Sequence, residues 1–405
     1  MPDSSSIEAR IAKLAADLDS LSVDVAHDEA SRKRLMGVVM ATKAKVESPI
    51  ETIWGLIMSP HAPASLMVLI RAGVLAALVA AGKPQTSKAL AASTGASEAL
   101  LIRLMRPLVA LGVFRETALH TYAATPISQT LMAPPLLGGY QFMFDLATRA
   151  LANLPRYLEK TGFAHVDGAP GPFQDCNHTQ DGLFAYLEKD PAMMANFNAF
   201  MAGSIANRPD WFTTFDVQGI VLAGAKTDAE AVLLVDVAGG QGHDIAAFQH
   251  AFPAAPGKLV LQELPAVLDS IPVAALAAQI ERQKIDFFEA QPVQGARAYY
   301  LRYIFHDWPD AACVHIMTHI AAAMERGYSK LIIFEWILPE TDVPLYPALL
   351  DVNMMALLNG RERTEEQWSG LLGQAGLQVV RFHKAGADAE GLIEAELADQ
   401  EMVRP

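Results

Sequence analysis

A histidine at the end of an apolar run is the first residue whose chemistry we consider. His306 lies in LRYIFHDWPD, residues 301–310, where a predicted strand ends and a helix begins. A neutral imidazole can accept the proton of a phenol near physiological pH, because its unperturbed pKa is about 6.5. The same side chain could equally be structural and bond a backbone carbonyl, so His306 alone does not establish a site.

Three glycines form the second segment of interest, in VDVAGGQG at residues 235–242. Gly239, Gly240 and Gly242 lack side chains, so a ligand can approach backbone N–H groups and the start of the next helix. The turn follows the predicted strand Val232 to Val237, and ligands of open α/β sheets bind at the carboxyl ends of strands. Ile245 stands where the dinucleotide fingerprint requires glycine or alanine, which disfavours NAD.

Two acidic residues follow at the ends of the next expected strands. Glu263, in LQELP, could accept both hydroxyls of a ribose, or it could instead cap a helix. Asp286, in IDFF, could bond an adenine amino group while the ring of Phe287 packs on the purine. A glycine turn, then an acid placed for a ribose and an acid placed for an adenine, favour in this order a ligand that contains adenosine.

Strands and helices alternate from Ala231 onward, and this alternation would place the residues above at one edge of a sheet. We predict an α/β fold: a Rossmann-like domain whose parallel sheet is covered on both faces. The loop before the last strand is too short for a helical crossover, so the final pair should be antiparallel. The predicted strands are 232–237, 258–261, 298–305, 331–336, 377–382 and 392–397, with helices at 243–252, 309–325, 344–357 and 365–375.

The first part of the chain is predicted to be mainly helical. Helices at 64–81, 87–93 and 97–112, followed by a ribbon at 113–125, resemble a winged helix. The candidate recognition helix offers only Arg103 and Arg106 among apolar residues, which favours contact with protein over DNA. An apolar seam on the first helix packs either on a partner helix or on its own domain; it comprises Ile7, Ile11, Leu14, Leu18 and Leu21.

The middle of the chain, residues 131–220, is predicted to hold several helices rich in Phe and Met. Tyr140 to Leu151 and Pro191 to Ala206 are two of them, and their apolar residues are expected in a core. The turn-rich stretch from Gly168 to Asp181 is predicted to be a surface loop.

The composition of the 405 residues disfavours several classes of protein. A formal net charge of −14 repels phosphate backbones and anionic lipids, so we expect neither a nucleic-acid nor a membrane partner. Ser65 to Gly82 contains Arg71 and is shorter than the roughly 20 residues of a membrane span, so we predict a buried helix.

The 52% of hydrophobic residues indicates surface hidden in a dimer. The first residues do not resemble a secretory signal, and Cys176 and Cys313 fit a reduced compartment, so we expect a cytoplasmic protein.

The combined motifs resemble the small-molecule O-methyltransferases of plants and fungi, and are most similar to the fungal branch. They are VDVAGGQG, LQELP, DFF, LRYIFHDWPD, LIIFEWILPE and NGRERTEEQW, and the resemblance covers nearly the whole chain. It implies S-adenosylmethionine as cofactor and a homodimer formed through an N-terminal winged-helix domain, residues 1–130. It further implies a helical region at 131–220 that contributes to a substrate pocket, and a Rossmann-like catalytic domain at 221–405.

The resemblance also implies a role for individual residues. His306 would be the general base, and Glu335 and Glu362 would flank it and orient its imidazole, as an aspartate does in a hydrolase triad. Glu263 replaces the usual ribose aspartate, and Arg302 a lysine of most plant relatives. The implied cofactor contacts are Asp236, Gly239, Gly240, Gly242, Glu263, Asp286, Phe287, Arg302 and Asp307, and the implied acceptor contacts are Phe197, Met201 and Met354.

Three functions are compatible with the sequence. The first is methylation of a hydroxyl on a small aromatic or enolic secondary metabolite. The second is dehydration or pericyclic rearrangement, in which the bound sulfonium acts only as a fixed charge. The third, a DNA-binding regulator, is disfavoured by the acidic composition. His315 and His319 have the spacing of a zinc pair, but neither HExxH nor CxxC accompanies them, so we expect a polar helix face and no metal.

Overall fold

The structure is a computed structural model that describes residues 6–206, 210–213, 215–384, 386 and 389–399. The chain forms two compact units that divide between Ser128 and Gln129.

The N-terminal unit is mainly helical, as predicted, and carries a small antiparallel sheet with the strand order β1-β3-β2. Local sequence signals set the helix ends: the Thr86 hydroxyl accepts from the Ala89 N–H at 3.1 Å, and Gly95 ends the same helix in the left-handed conformation. The elements are α1 Ile7–Asp24, α2 Glu29–Val46, α3 Pro49–Met58, α4 His61–Arg71, α5 Val74–Ala81, β1 Gln85–Thr86, α6 Ser87–Thr94, α7 Glu98–Ala110, β2 Phe114–Ala118 and β3 Thr121–Ala124.

The single helix predicted over residues 64–81 was wrong, because the structure divides this stretch into α4 and α5. Gly73 lies between them with a φ of +75°, a conformation that breaks a helix and suits glycine. The break lets both helices contribute to the core of the unit, where Leu69 of α4 and Leu78 of α5 are fully buried.

The first three helices present apolar side chains that nothing in the described chain covers. No residue of α1, α2 or α3 is buried, and Ile11 and Trp54 are 62% and 58% exposed. The seam on α1 therefore does not pack into its own unit. The stretch Pro49–Arg71 is also long and apolar enough to cross a membrane, with a mean hydropathy of 1.5, by length and composition only. Core helices of soluble proteins and signal sequences pass the same test.

The second unit begins with helices that pack around Phe142, Phe173 and Leu187. The surface loop predicted from Gly168 to Asp181 was wrong, because Pro172–Asn177 is a short helix with a buried first turn. Proline suits the first position of a helix, and the Gln174 side chain accepts from the Gly171 N–H at 2.9 Å. The helix α8 Pro126–Leu131 contains the boundary between the units. The elements that follow are α9 Pro134–Phe142, α10 Thr148–Lys160, α11 Pro172–Asn177, α12 Leu183–Leu187 and α13 Pro191–Ala206, with a π-helical turn at Met143–Ala147.

The rest of the unit is the predicted α/β domain. Its sheet has the strand order β11-β12-β8-β7-β4-β5-β6, and every neighbouring pair is parallel except those that β12 makes. The elements are β4 Val232–Val237, α14 His243–Ala251, β5 Lys258–Glu263, α15 Pro265–Ser270, β6 Ile280–Lys284, β7 Ala298–Arg302, α16 Asp310–Ala323, β8 Lys330–Glu335, β9 Ile337–Leu338, α17 Leu345–Leu358, β10 Arg363–Thr364, α18 Glu365–Gln374, β11 Leu377–Lys384 and β12 Gly391–Leu397.

Both faces of this sheet are covered, as the alternation predicted. Along β7, Tyr299 belongs to one apolar core and Tyr300 to the other, because successive side chains of a strand point to opposite faces. The carboxyl ends of β4, β5, β7 and β8 consequently share one edge, where the chemistry-bearing residues of the sequence lie.

Candidate active site

The glycine turn after β4 is built around the carboxylate of Asp236. A Cβ on Gly239 would lie 2.4 Å from Asp236 Cγ, far inside van der Waals contact, so only glycine fits there. Gly242 has a φ of +77° and precedes α14. Burial raises the pKa of Asp236 well above its usual range, and the neighbouring carboxylates of Asp244 and Glu263 add to the rise.

The acid that ends β5 holds the same turn. Glu263 Oε1 accepts from the Gly240 N–H at 3.0 Å, and its other oxygen accepts from the Leu264 N–H at 2.7 Å. Burial raises the pKa of Glu263 despite these two bonds. Asp286 and Phe287 follow β6 at the same edge and line a small cleft with Val237, the last residue of β4.

The end of β7 carries a buried ion pair. Arg302 Nη1 donates to Asp244 Oδ1 at 2.8 Å, and the Tyr300 hydroxyl donates to Asp244 Oδ2 at 2.8 Å. Asp244 lies in the first turn of α14, where the N-terminal end of the helix dipole favours a negative charge. Arg302 is thereby fixed beside the glycine turn.

His306 sits in a tight turn just after this strand. Tyr303 adopts a φ of +52°, uncommon for a residue with a side chain, and Phe305–Asp307 form one turn of 3₁₀-helix. One oxygen of Glu335, at the end of β8, accepts from the backbone N–H groups of Ile304 and Phe305 at 3.1 and 2.7 Å. These bonds fix the backbone of the turn, and the orienting role that the resemblance implied for Glu335 stays a prediction.

The imidazole of His306 has a carboxylate beside each nitrogen. Nδ1 lies 2.8 Å from Glu362 Oε1, and Nε2 lies 3.4 Å from Asp307 Oδ1. Burial opposes a charged ring, but the charges of Asp307 and Glu362 outweigh it and raise the pKa of His306 to about 10. Burial also raises the pKa of Asp307 to about 6 and that of Glu335 to about 7.

Single ligand atoms of His306, Glu335 and Glu362 all lie within 4.8 Å of one another. Three such groups could hold a metal ion, but Nδ1 is already bonded to Glu362, and Glu335 Oε1 is occupied by backbone N–H groups. The arrangement therefore fits an imidazole oriented by a carboxylate, the geometry of a histidine that moves protons.

Comparison with known proteins identifies the family. Residues 163–378 match the O-methyltransferase domain family, and residues 54–134 match the O-methyltransferase dimerisation domain family. This chain belongs to the O-methyltransferases. The O-methyltransferase asqD of Emericella nidulans is 41% identical over 77% of this chain and 81% of its own. The O-methyltransferase penC of Penicillium thymicola is 37% identical over 91% of this chain and 92% of its own.

Solved structures agree on the fold of this methyltransferase. OxaC in complex with sinefungin and meleagrin superposes with a TM-score of 0.83 at 27% identity, over 97% of this chain and 100% of that one. LepI in complex with SAM superposes with a TM-score of 0.85 at 26% identity, over 97% and 100%. A structure described as a pericyclic reaction enzyme gives 0.85 at 26% identity, over 96% and 100%. The expected fold and the S-adenosylmethionine cofactor are thus confirmed.

The residues at the sheet edge of the methyltransferase fit that cofactor. Asp236 Oδ2 and Arg302 Nε and Nη2 are buried, and no residue within the described ranges gives them a hydrogen-bond partner. Buried polar atoms in folded proteins nearly always have partners, so these atoms are suited to bond a ligand. The acids Asp236, Asp244 and Glu263 outnumber the one guanidinium, and a cationic donor beside them would lower the raised pKa of Asp236 and favour its ionised form.

The predicted acceptor contacts lie on two helices of the methyltransferase. Phe197 of α13 packs on the rings of Phe142 and Phe184, with centroids 5.2 and 6.0 Å apart, and Met201 lies one turn further along. Met354 of α17 lies near the turn that carries His306, because its carbonyl accepts from the Gly360 N–H just before Glu362. Their contact with an acceptor stays a prediction.

Several residues of the site were not predicted from the sequence. Tyr303 places its ring 5.4 Å from the ring of His306, and Asp351 accepts from the Glu362 N–H at 2.9 Å. Asp244 pairs with Arg302, and an acid in the first turn of a helix after a glycine loop was a usable signal for it. The left-handed conformation of Tyr303 has no signal in the residue types around it.

Proposed function

We propose that this methyltransferase transfers the methyl group of S-adenosylmethionine to a hydroxyl of a small aromatic or enolic secondary metabolite, with His306 as the general base. The observation that carries the proposal is the His306–Glu362 pair, 2.8 Å apart and buried, in the turn that follows β7 at the cofactor edge. A base held in this way can take a proton from a bound hydroxyl.

The bound cofactor supplies an electrophilic methyl group on a positively charged sulfur. Displacement at that carbon is in line, so the protein must hold the acceptor oxygen close to it and in the right direction. His306 removes the hydroxyl proton, and the charge of Glu362 stabilises the resulting imidazolium. Glu335 contributes through the backbone, because its bonds to the N–H groups of Ile304 and Phe305 fix the turn that carries the base.

The cofactor itself is held by the residues after β4, β5 and β6. Glu263 offers carboxylate oxygens for ribose hydroxyls, and Asp286 with Phe287 offers an acceptor and a ring for adenine. Arg302 ends β7, between this region and His306 in the chain, and Asp307 directly follows His306; we assign both to the cofactor. Phe197, Met201 and Met354 would form the apolar side of the acceptor site, where thioether side chains adapt to many shapes.

The test compares wild type with His306→Ala in assays with S-adenosylmethionine and a panel of phenols. We expect the rate to fall by roughly 10²-fold or more, because general-base catalysis typically contributes at least that much. His250→Ala is the matched control, since this residue lies at the exposed end of α14. Cofactor affinity, measured by calorimetry, should survive in both variants, and a rate loss below about tenfold would remove His306 from the role of base.

A second function is favoured by one specific observation. A solved structure with a TM-score of 0.85 to this chain is described as a pericyclic reaction enzyme. Under this alternative the bound sulfonium acts as a fixed charge, without methyl transfer. The mass of the product distinguishes the two functions, since methylation adds a methyl group and a rearrangement leaves the mass unchanged.

We also propose that the methyltransferase is a homodimer joined through its N-terminal unit. Residues 54–134 match a dimerisation domain, and α1 to α3 expose apolar side chains along their whole length. Burial of such side chains is the main favourable contribution to the association of proteins.

A further inference from the structure

Both nitrogens of the His306 ring face carboxylate oxygens. Nδ1 lies at hydrogen-bonding distance from Glu362 Oε1, 2.8 Å, and Nε2 lies at ion-pair distance from Asp307 Oδ1, 3.4 Å. Two negative charges beside the ring favour its positively charged imidazolium form, which carries an N–H at both nitrogens. A general base needs the opposite arrangement, with a free lone pair on the nitrogen that meets the acceptor hydroxyl. The two carboxylates therefore favour the protonated state of His306, in which the ring cannot act as a base.

We propose that Asp307 is a positioning residue that keeps His306 protonated until the cationic donor binds and draws the Asp307 carboxylate away from Nε2. This inference rests on the proposed function, because it assigns Asp307 to the donor and Nε2 to the acceptor. Glu362 keeps its bond to Nδ1 in both states and so fixes the tautomer of the neutral ring. Asp307 alone changes partner.

The charges around the ring support the assignment. Asp307 faces it from its own turn, Glu335 from the end of β8 and Glu362 from the loop before β10. Asp351 of α17 lies behind Glu362. The nearby cation Arg363 is directed elsewhere, since its bonds go to Asp310 and to backbone carbonyls of the turn. The immediate surroundings of the imidazole are therefore acidic.

The protonation state follows from these charges. A histidine whose pKa is raised to about 10 is neutral in roughly one molecule in a thousand at pH 7. A base in that state would be almost inactive. A cation beside Asp307 removes one of the two carboxylates from the ring and adds positive charge nearby, and both changes lower the pKa of His306.

The protons balance over one turnover. When Asp307 turns to the donor, Nε2 releases its proton to solvent and becomes a lone pair. The lone pair takes the hydroxyl proton of the acceptor while the O–C bond forms and the S–C bond breaks, which leaves a neutral thioether. Once the positive charge is gone, Asp307 can return to Nε2, and the resting ion pair forms again.

The experiment measures the pKa of His306 directly, by NMR of the methyltransferase with isotope-labelled histidine, with His306→Gln to assign the signal. Titrations compare the free protein, the complex with S-adenosylmethionine and the complex with S-adenosylhomocysteine, which lacks the positive charge. We expect a pKa near 10 in the free protein and a fall of about 2 or more with the charged donor. The uncharged product should cause a smaller fall.

Asp307→Asn supplies the matched variant. It should lower the pKa of His306 in the free protein and shrink the change that the donor causes, whereas Asp269→Asn, which removes an exposed partner of Lys284, should alter neither. A pKa close to 6.5 in the free wild type, or one that the donor leaves unchanged, overturns the proposal. Calorimetry and the methylation assay separate this result from failure of the proposed function. If the protein binds the donor and methylates the acceptor while the pKa of His306 stays unchanged, only the role proposed for Asp307 is refuted.

Discussion

Gly360 offers a quantitative test of how closely the turn that carries His306, the proposed base, must be held. A Cβ built on this residue would lie 1.9 Å from the carbonyl oxygen of His306 and 2.9 Å from the carbonyl carbon of Asp307. Real Cβ atoms essentially never come within 3.0 Å of such backbone atoms, so Gly360→Ala must displace the turn by about 1.1 Å. The Arg361 N–H, which donates to the same His306 oxygen at 3.0 Å, would move with it.

A displacement of about 1 Å at the reacting centre can cost on the order of 10²-fold in rate. We therefore expect Gly360→Ala to lower kcat about 100-fold, with a loss of about 1–3 kcal/mol in the free energy of unfolding from overpacking. Gly370→Ala is the matched control. Gly370 lies in α18 with open space around its Cα, so alanine there should keep full activity and add up to about 1 kcal/mol of stability.

The measurements are single-turnover rates at saturating S-adenosylmethionine and urea unfolding of both variants. If Gly360→Ala keeps kcat within about twofold of wild type, the turn tolerates a displacement of this size, and the reasoning from close approach to function is refuted.

Two further predictions concern the pH dependence of stability and assembly. The pKa of Glu335 is raised to about 7 from an ordinary 4.5, so the folded state holds this proton more tightly than the unfolded chain does. The contribution of Glu335 to the free energy of unfolding is therefore greatest below pH 4.5 and falls by about 3 kcal/mol as the pH rises to 7. In urea unfolding, Glu335→Gln should remove most of that fall. Trp54, which is 58% exposed within the dimerisation domain, should anchor the dimer interface. Trp54→Ala should therefore raise the dimer dissociation constant, measured by analytical ultracentrifugation, roughly 30-fold. An unchanged constant would place the interface elsewhere.

The sheet was predictable from the sequence wherever its strands are buried on both faces. Apolar runs with β-branched residues marked β4 and β8, because burial on both sides leaves no polar position. No such run marked β6, whose sequence IERQK lies at the edge of the sheet and buries only Ile280. Its existence could be expected only from the position of Asp286.

The contacts of the site were harder to predict than its members. Glu335 and Glu362 were both expected beside the imidazole; of these two acids, Glu362 makes the hydrogen bond to a ring nitrogen, and Glu335 bonds the backbone of the turn. The difference depends on the direction of each side chain, which packing at the end of β8 and before β10 decides. Likewise, Tyr303 ends β7 three residues before the predicted end, because it takes a left-handed conformation that follows from its tertiary neighbours and not from its type.

The negative charge of the sheet edge alone does not select methyl transfer. Asp236, Glu263 and Asp307 would attract a sulfonium whether its methyl group moves or its charge merely polarises a neighbouring substrate. Methyl transfer and a pericyclic rearrangement differ at one atom, since methyl transfer to a hydroxyl needs an unprotonated Nε2 on His306 and a rearrangement needs no base. Whether the donor frees that nitrogen therefore bears on the chemistry of this fold more directly than the presence of the donor does.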